Sequence, residues 1–101
     1  MPYGYIIVEM KINDLEQYKK YMAVAQEMVK AAGGEYLVRG GRCETVEGEW
    51  QPARVGVIRF PSYEAAKTFN EGAAYATARQ LRNGTTEYFN MILVEGVAAP
   101  V

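Results

Sequence analysis

The chain has 101 residues, half of them hydrophobic, and a net charge of −1. This size and hydrophobic content suffice for one domain with one core. The net charge provides no excess of positive groups for a phosphate backbone, so we expect no binding of nucleic acid. No apolar run approaches the ~20 residues that span a membrane, so we expect no membrane contact. Histidine is absent, which excludes Ser-His-Asp and Cys-His catalytic arrangements within one chain.

The cysteine count and the N-terminal segment favour a cytoplasmic protein. Cys43 is the single cysteine, so no internal disulfide can form. The N-terminal segment has no basic start, and its apolar run Tyr5–Val8 is too short for a secretory signal. With one cysteine and no histidine, we expect no metal site, and we expect no cofactor.

The first predicted elements are a strand over Tyr3–Met10 and a helix that begins after a cap at Asn13 or Asp14 and runs to about Ala32. Both faces of the strand are largely apolar, so we expect both to be covered. The Gly33-Gly34 pair ends the helix. The apolar residues expected to face the core from this helix are spaced three and four apart: Leu15, Tyr18, Met22, Ala25, Val29 and Ala32.

A β-hairpin is predicted next, with strands over Glu35–Val46 and Arg54–Phe60 and a turn at Glu47-Gly48-Glu49. The Gly40-Gly41 pair inside the first strand indicates a bulge, a bend or a close backbone approach. Strict alternation divides the start of this strand into two faces: Glu35, Leu37 and Arg39 on one, and Tyr36 and Val38 on the other.

Ser62 is a typical cap for a second helix that begins at Tyr63, and Gly72 is expected to break that helix. The second helical segment is predicted over about Ala73–Arg82. A strand over Tyr88–Glu95 follows, and residues 96–101 form a tail without periodicity.

The resulting order, βαββαβ, predicts an α+β fold: a ferredoxin-like sandwich, with a four-stranded antiparallel sheet and two helices on one of its faces. We expect one domain over residues 1–101. The second sheet face needs another apolar cover, and a second copy of the chain is the simplest one. We therefore predict a homodimer whose sheets pack face to face or close into a shared barrel.

Several blocks of the sequence resemble the family known as domain of unknown function 1330. The most specific are Arg39-Gly40-Gly41 and Phe60-Pro61-Ser62, in this order and spacing. The resemblance covers nearly the whole chain and implies a dimeric α/β barrel without an established activity. One departure is Glu71-Gly72-Ala73-Ala74-Tyr75, where relatives usually carry a Ser-Pro-Glu-Tyr-like link. Related dimeric barrels include cofactor-independent monooxygenases, haem-degrading enzymes and lactone isomerases, an analogy of fold alone.

Two arginines in apolar strands are the most informative charges. Arg39 and Arg59 could form a fork for the carboxylate or phosphate of a small ligand. The commoner alternatives are an ion pair with Glu35 or Glu9 and a solvated edge position. Arg42 is a possible third donor, although an exposed edge position suits it better.

Other candidate residues have equally plain alternatives. Tyr18 and Tyr21 could line a pocket or simply fill the core. Trp50 could cap a ligand cleft, but a contact in the dimer is favoured. Glu35 could act as a general base if burial raised its pKa, although a structural ion pair is commoner. Cys43 is expected to be a small buried hydrophobe.

The preferred functional hypothesis is binding of a small, anionic molecule near Arg39, with Arg59, Tyr18 and Trp50 as further ligand contacts. One alternative is a cofactor-independent enzyme, monooxygenase-like or isomerase-like, that acts on small organic substrates with Glu35, Arg39 and Tyr18. The other alternative is a structural or interaction module without a ligand. A cavity that reaches Arg39 would separate the first two hypotheses from the third.

Overall fold

The computed structural model describes residues 2–98. Their order confirms the predicted βαββαβ arrangement, with the second helix divided in two. The elements are β1 (Gly4–Ile12), α1 (Leu15–Ala31), β2 (Glu35–Arg39), β3 (Arg54–Phe60), α2 (Tyr63–Glu71), α3 (Ala73–Arg79), a 3-10 turn (Gln80–Arg82) and β4 (Thr86–Glu95).

The four strands form one antiparallel sheet in the order β2-β3-β1-β4. The helices cover one face of this sheet, and the core lies between them. Phe60 and Ile6 of the sheet and Val29 of α1 are almost completely buried there. This is the ferredoxin-like α+β fold predicted from the order of the elements.

Local capping signals place the helix ends. Asp14, rather than Asn13, caps α1, because its carboxylate accepts a hydrogen bond from the Gln17 backbone N at 3.1 Å. Gly33 follows the helix with a φ of +81°, a conformation that glycine adopts without a steric penalty. Ser62 caps α2 as predicted, and its Oγ accepts from the Ala65 backbone N at 3.0 Å.

The break at Gly72 is also confirmed. Its extended backbone separates α2 from α3, and the Arg79 guanidinium joins the two segments by donating to the backbone and side-chain oxygens of Asn70. The predicted helical segment to Arg82 is α-helical only as far as Arg79. Residues 99–101 of the predicted tail lie outside the described residues. Residue 1, at the other end of the chain, also lies outside them.

The buried stripe of α1 differs at one end from the prediction. Leu15 is 49% exposed, whereas Tyr21 is buried together with Tyr18, Ala25 and Val29. Leu15 is the first residue of α1 and lines a surface depression at the end of β1. Tyr21 faces α3, whose Tyr75 covers it.

Strand β2 is shorter than predicted. It ends at Arg39 rather than Val46, and residues 40–53 form an exposed irregular connection to β3. Gly40 has a φ of +72°, which takes the chain out of the extended conformation. Gly48, in the predicted turn, has a φ of +89°. Cys43 lies in this connection and is exposed, so the prediction of a buried cysteine was wrong.

A bulge in β2 reverses one predicted face. Glu35 pairs with Arg59 and Tyr36 pairs with Ile58, but Val38 then pairs with Val57, which leaves Leu37 as an extra residue. Arg39 pairs with Gly56 and lies on the helix face with Tyr36. The prediction that Arg39 shares a face with Glu35 was therefore wrong.

The other sheet face is uncovered in the single chain and is called the open face below. It carries alternate side chains of all four strands. Several apolar ones are substantially exposed, including Ile92 (57%), Val38 (41%) and Val94 (38%). No helix found in residues 2–98 combines the length and apolar character needed to cross a membrane.

Candidate functional site

A narrow cavity lies between the helix face of the sheet and the helices, and it is called the sheet–helix cavity below. Its volume is about 40 Å³, which corresponds to roughly three water molecules at about 10–15 Å³ each. Most of its wall is apolar and comes from β1, β3, β4, α1 and α2. Its polar lining groups are Arg39, Arg54 and four tyrosines: Tyr18, Tyr21, Tyr36 and Tyr75.

Arg39 reaches this cavity because the bulge at Leu37 turns it to the helix face. Its Nη1 donates to Oε1 of Gln26 on α1 at 2.8 Å, and its Cζ lies 5.1 Å from the Tyr36 ring centroid. Within residues 2–98, no carboxylate pairs with Arg39. Arg39 is exposed on the edge strand β2, as one of the predicted alternatives had it, so its remaining N–H donors are open to solvent or to a ligand.

Arg54 is a second cation at the cavity, and the sequence analysis missed it. It is half-buried at the start of β3, and its side chain forms no hydrogen bond or ion pair with another residue in the range 2–98. Its guanidinium lies against Gly40, where a Cβ would come within 2.5 Å of the Arg54 Cζ. A close approach was one of three alternatives predicted for the Gly40-Gly41 pair, beside a bulge and a bend, and Arg54 is the group that approaches Gly40.

The tyrosines form a cluster at the interior of the cavity. Tyr18 and Tyr21 of α1 have ring centroids 5.4 Å apart, and the hydroxyl of Tyr21 is hydrogen-bonded to that of Tyr75. The hydroxyls of Tyr18 and Tyr36 have no such partner among the described side chains and backbone. Tyr18 and Tyr21 therefore line a cavity, and a role in ligand contact stays a prediction for both.

Burial raises the pKa of three of these phenols, those of Tyr18, Tyr21 and Tyr36. It raises the pKa of Tyr36 to about 12, against the opposing effect of Arg39. Burial also raises the pKa of Tyr21, and the hydrogen-bonded Tyr75 adds to this effect. The pKa of Tyr18 is raised by burial despite the nearby positive charges of Arg82 and Arg54. The cluster thus offers neutral hydroxyl groups.

The structure does not bring Arg59 and Glu35 to this cavity. They lie on the open face, where Arg59 Nη2 and Glu35 Oε2 are 3.1 Å apart, and the Arg59 Cζ lies 4.5 Å from the Tyr3 ring centroid. The ion pair considered as an alternative for Arg59 is the observed one. Glu9 is also on the open face, where it accepts a hydrogen bond from Asn90 at 3.1 Å.

Trp50 is likewise distant from the Arg39 site. It is 64% exposed in the connection 40–53 and borders a shallow depression of the open face with Ile7 and Ile92. In the described part of the chain, no three acidic, cysteine or histidine side chains are grouped as metal ligands.

The fold is shared with several solved structures. A protein of unknown function from Rhodopseudomonas palustris is 14% identical, with a TM-score of 0.76 over 97% of this chain and 85% of that one. A dimeric ferredoxin-like protein of unknown function from Jannaschia sp. CCS1 is 13% identical, with a TM-score of 0.69 over 92% and 98%. A candidate antibiotic biosynthesis monooxygenase from Caulobacter crescentus CB15 is 14% identical, with a TM-score of 0.58 over 95% and 91%.

These likenesses establish the fold alone, since all three identities are low. No curated protein gave a match to the chain. The sequence itself provides the assignment to a family. Residues 3–97 match the family described as domain of unknown function (DUF1330), and the chain therefore belongs to that family.

Proposed function

We propose that the chain acts as a cytoplasmic homodimer that binds a small, anionic molecule in the sheet–helix cavity, with Arg39 as the principal contact. One observation carries the proposal. Arg39 lies at the cavity, and its hydrogen bond goes to the neutral amide of Gln26 rather than to a carboxylate. A guanidinium that is not neutralised by the protein is suited to a carboxylate or phosphate ligand.

The enzyme hypothesis has less support from the geometry. Glu35, its candidate base, is paired with Arg59 on the open face, and the cavity lining contains no carboxylate. Tyr18, the other candidate catalytic residue, has a raised pKa and so is a poor base at neutral pH. The likeness to the Caulobacter protein supports a common fold rather than a common reaction.

The ligand proposal can be tested with simple anions. We would measure the thermal stabilisation of the wild type, Arg39→Gln and Arg42→Gln by acetate, sulfate and inorganic phosphate at constant ionic strength. Arg42 is the matched control, because it is exposed in the connection 40–53 and does not line the cavity. Both glutamine variants lose one positive charge.

We expect at least one anion to stabilise the wild type and Arg42→Gln, and to bind Arg39→Gln about tenfold more weakly, as for one lost charged hydrogen bond. Equal responses of the two variants would show that the anion binds elsewhere. No response of the wild type to any of the three anions would remove the support for an anion site.

The homodimer is supported by the open face. Its exposed apolar side chains lie on the two edge strands, Val38 on β2 and Ile92 and Val94 on β4. Trp50 borders the same face. Apolar side chains exposed across a sheet face are typical of a protein interface. The helices already cover the other face. A second copy placed over the open face would bury Ile92 and the Arg59–Glu35 pair together.

Light scattering at micromolar concentration tests the dimer. We expect the wild type to be dimeric and Ile92→Glu to be largely monomeric, because the new carboxylate would lose its hydration in the interface. Val24→Glu is the matched control, since Val24 is 38% exposed on helix α1. A monomeric wild type, or dissociation by Val24→Glu as well, would contradict an interface on the open face.

A further inference from the structure

We propose that the molecule bound in the sheet–helix cavity is a short-chain oxo acid, whose carboxylate binds Arg39 and Arg54 and whose carbonyl oxygen accepts hydrogen bonds from Tyr18 and Tyr36. This inference rests on the proposed function and specifies its ligand class. It depends on three properties of the cavity: the charges at its rim, its size, and the unpartnered hydroxyls of two tyrosines that line it.

The rim of the cavity holds two cations and no counter-ion. Arg39 uses one donor on Gln26, and Arg54 has no hydrogen bond to any residue in the range 2–98. Gly40, which also lines the cavity, leaves room for the Arg54 guanidinium to lie against the backbone. Two guanidinium groups with free donors can hold both oxygens of a carboxylate.

The size and the walls of the cavity describe the body of the ligand. A volume of about 40 Å³ admits about three or four atoms of water size. The walls beside this space are apolar, with Ile6, Val8 and Val29 among them. An inorganic anion would make no apolar contact with these walls, whereas a short carbon chain attached to the carboxylate would pack against them.

The tyrosine hydroxyls describe the second polar group of the ligand. Tyr21 and Tyr75 satisfy each other, but the hydroxyls of Tyr18 and Tyr36 have no partner in the described residues. Both phenols remain protonated at neutral pH because burial raises their pKa. Each can therefore donate a hydrogen bond, and a carbonyl oxygen is the acceptor that adds the least volume.

Calorimetric titration with matched probes tests this inference. The probes are 2-oxopropanoate, propanoate, which lacks the carbonyl, the methyl ester of 2-oxopropanoate, which lacks the charge, and inorganic phosphate. For the wild type we expect 2-oxopropanoate to bind about fivefold more tightly than propanoate, as for one net hydrogen bond. The ester and phosphate should bind at least tenfold more weakly than 2-oxopropanoate.

Variants assign the two ends of the ligand. Tyr18→Phe and Tyr36→Phe should lose the preference for 2-oxopropanoate over propanoate, while Tyr63→Phe, outside the cavity lining, should keep it. Arg54→Gln should weaken both acids about tenfold relative to Arg42→Gln.

The outcomes separate this inference from the proposed function. If both acids bind equally and their binding depends on Arg39, the anion site stands and the oxo-acid assignment fails. If phosphate binds most tightly, the assignment also fails, and the site is one for inorganic or phosphorylated anions. If no probe binds in an Arg39-dependent manner, both proposals fail.

Discussion

Replacement of Gly40 by alanine should disturb both the backbone and the cavity rim. Gly40 has a φ of +72°, and a Cβ there would lie 2.5 Å from Cζ and 2.6 Å from Nη2 of Arg54. The guanidinium is the end of a flexible side chain, so it would move rather than the backbone. Gly40→Ala should therefore displace Arg54 from its place beside the cavity.

Two other glycines of the same connection separate these effects. Gly48 has a φ of +89° with no atom within 4 Å of an added Cβ, so Gly48→Ala carries the backbone strain alone. Gly41 has neither a positive φ nor a close neighbour, so Gly41→Ala is the neutral control. All three positions lie in the exposed connection 40–53.

The expected magnitudes follow from these contacts. A non-glycine residue in the left-handed region costs about 1–2 kcal/mol, and the lower entropy of the unfolded alanine chain returns about 0.4–1 kcal/mol. Gly48→Ala should therefore destabilise the fold by about 1 kcal/mol. Displacement of the guanidinium should add less than about 1 kcal/mol in Gly40→Ala, because the end of a flexible side chain can move aside. In a domain of this size, each 1 kcal/mol lowers the Tm by about 4–8 °C.

Thermal unfolding followed by circular dichroism, at one fixed protein concentration, measures these differences. We expect Gly40→Ala and Gly48→Ala to have Tm values about 4–8 °C below the wild type, and Gly41→Ala to be at or slightly above the wild type. With acetate, sulfate or inorganic phosphate present, Gly40→Ala should be stabilised less than Gly48→Ala. Equal stabilisation of these two variants by the anions would refute the packing of Arg54 against Gly40, and with it the position of the second cation.

Three further predictions concern the interior and the sheet end. The fold favours the neutral form of Tyr36, because the pKa of Tyr36 is raised from 10.0 to about 12. The contribution of this neutral phenol to the free energy of unfolding is therefore complete below pH 10 and is lost as the pH rises toward 12. Tyr36→Phe should reduce this alkaline loss of stability, measured by urea unfolding at several pH values, and an unchanged loss would contradict the pKa shift. Ser62→Ala should cost about 1 kcal/mol by removing the cap of α2, measured by urea unfolding, and no cost would argue against the cap. Gly4→Ala should lower the free energy of unfolding by about 2 kcal/mol or more, because the new Cβ would meet the Ser62 carbonyl and the backbone of Tyr63. A Gly4→Ala variant as stable as the wild type in urea unfolding would rule out this close approach.

Much of the fold could be predicted because its signals are local. Ser62 caps a helix by a hydrogen bond three residues away, and Gly72 breaks one where it stands. The apolar character of both faces of β1 indicated a layer of helices on one side and a further cover on the other. None of these inferences required knowledge of which strands become neighbours.

The candidate site was only partly predictable because it depends on partners distant in sequence. Arg39 was identified as an arginine in an apolar strand, but its neighbours Gln26 and Tyr36 and the cavity behind it are products of packing. Arg54 was not predicted as a site residue, because an arginine at a strand end is usually solvated. Only the three-dimensional structure places it against Gly40.

The amino-acid sequence by itself determined the order of helices and strands, their caps and the break at Gly72, because each depends on residues within a few positions. The tertiary structure alone decided which side of the sheet each charge occupies. Pairing with β3 leaves Leu37 as an extra residue, and this bulge sends Arg39 to the helix side while Glu35 stays with Arg59 on the open face. Alternation along a strand cannot reveal such a reversal, because a bulge is defined by the register with the neighbouring strand.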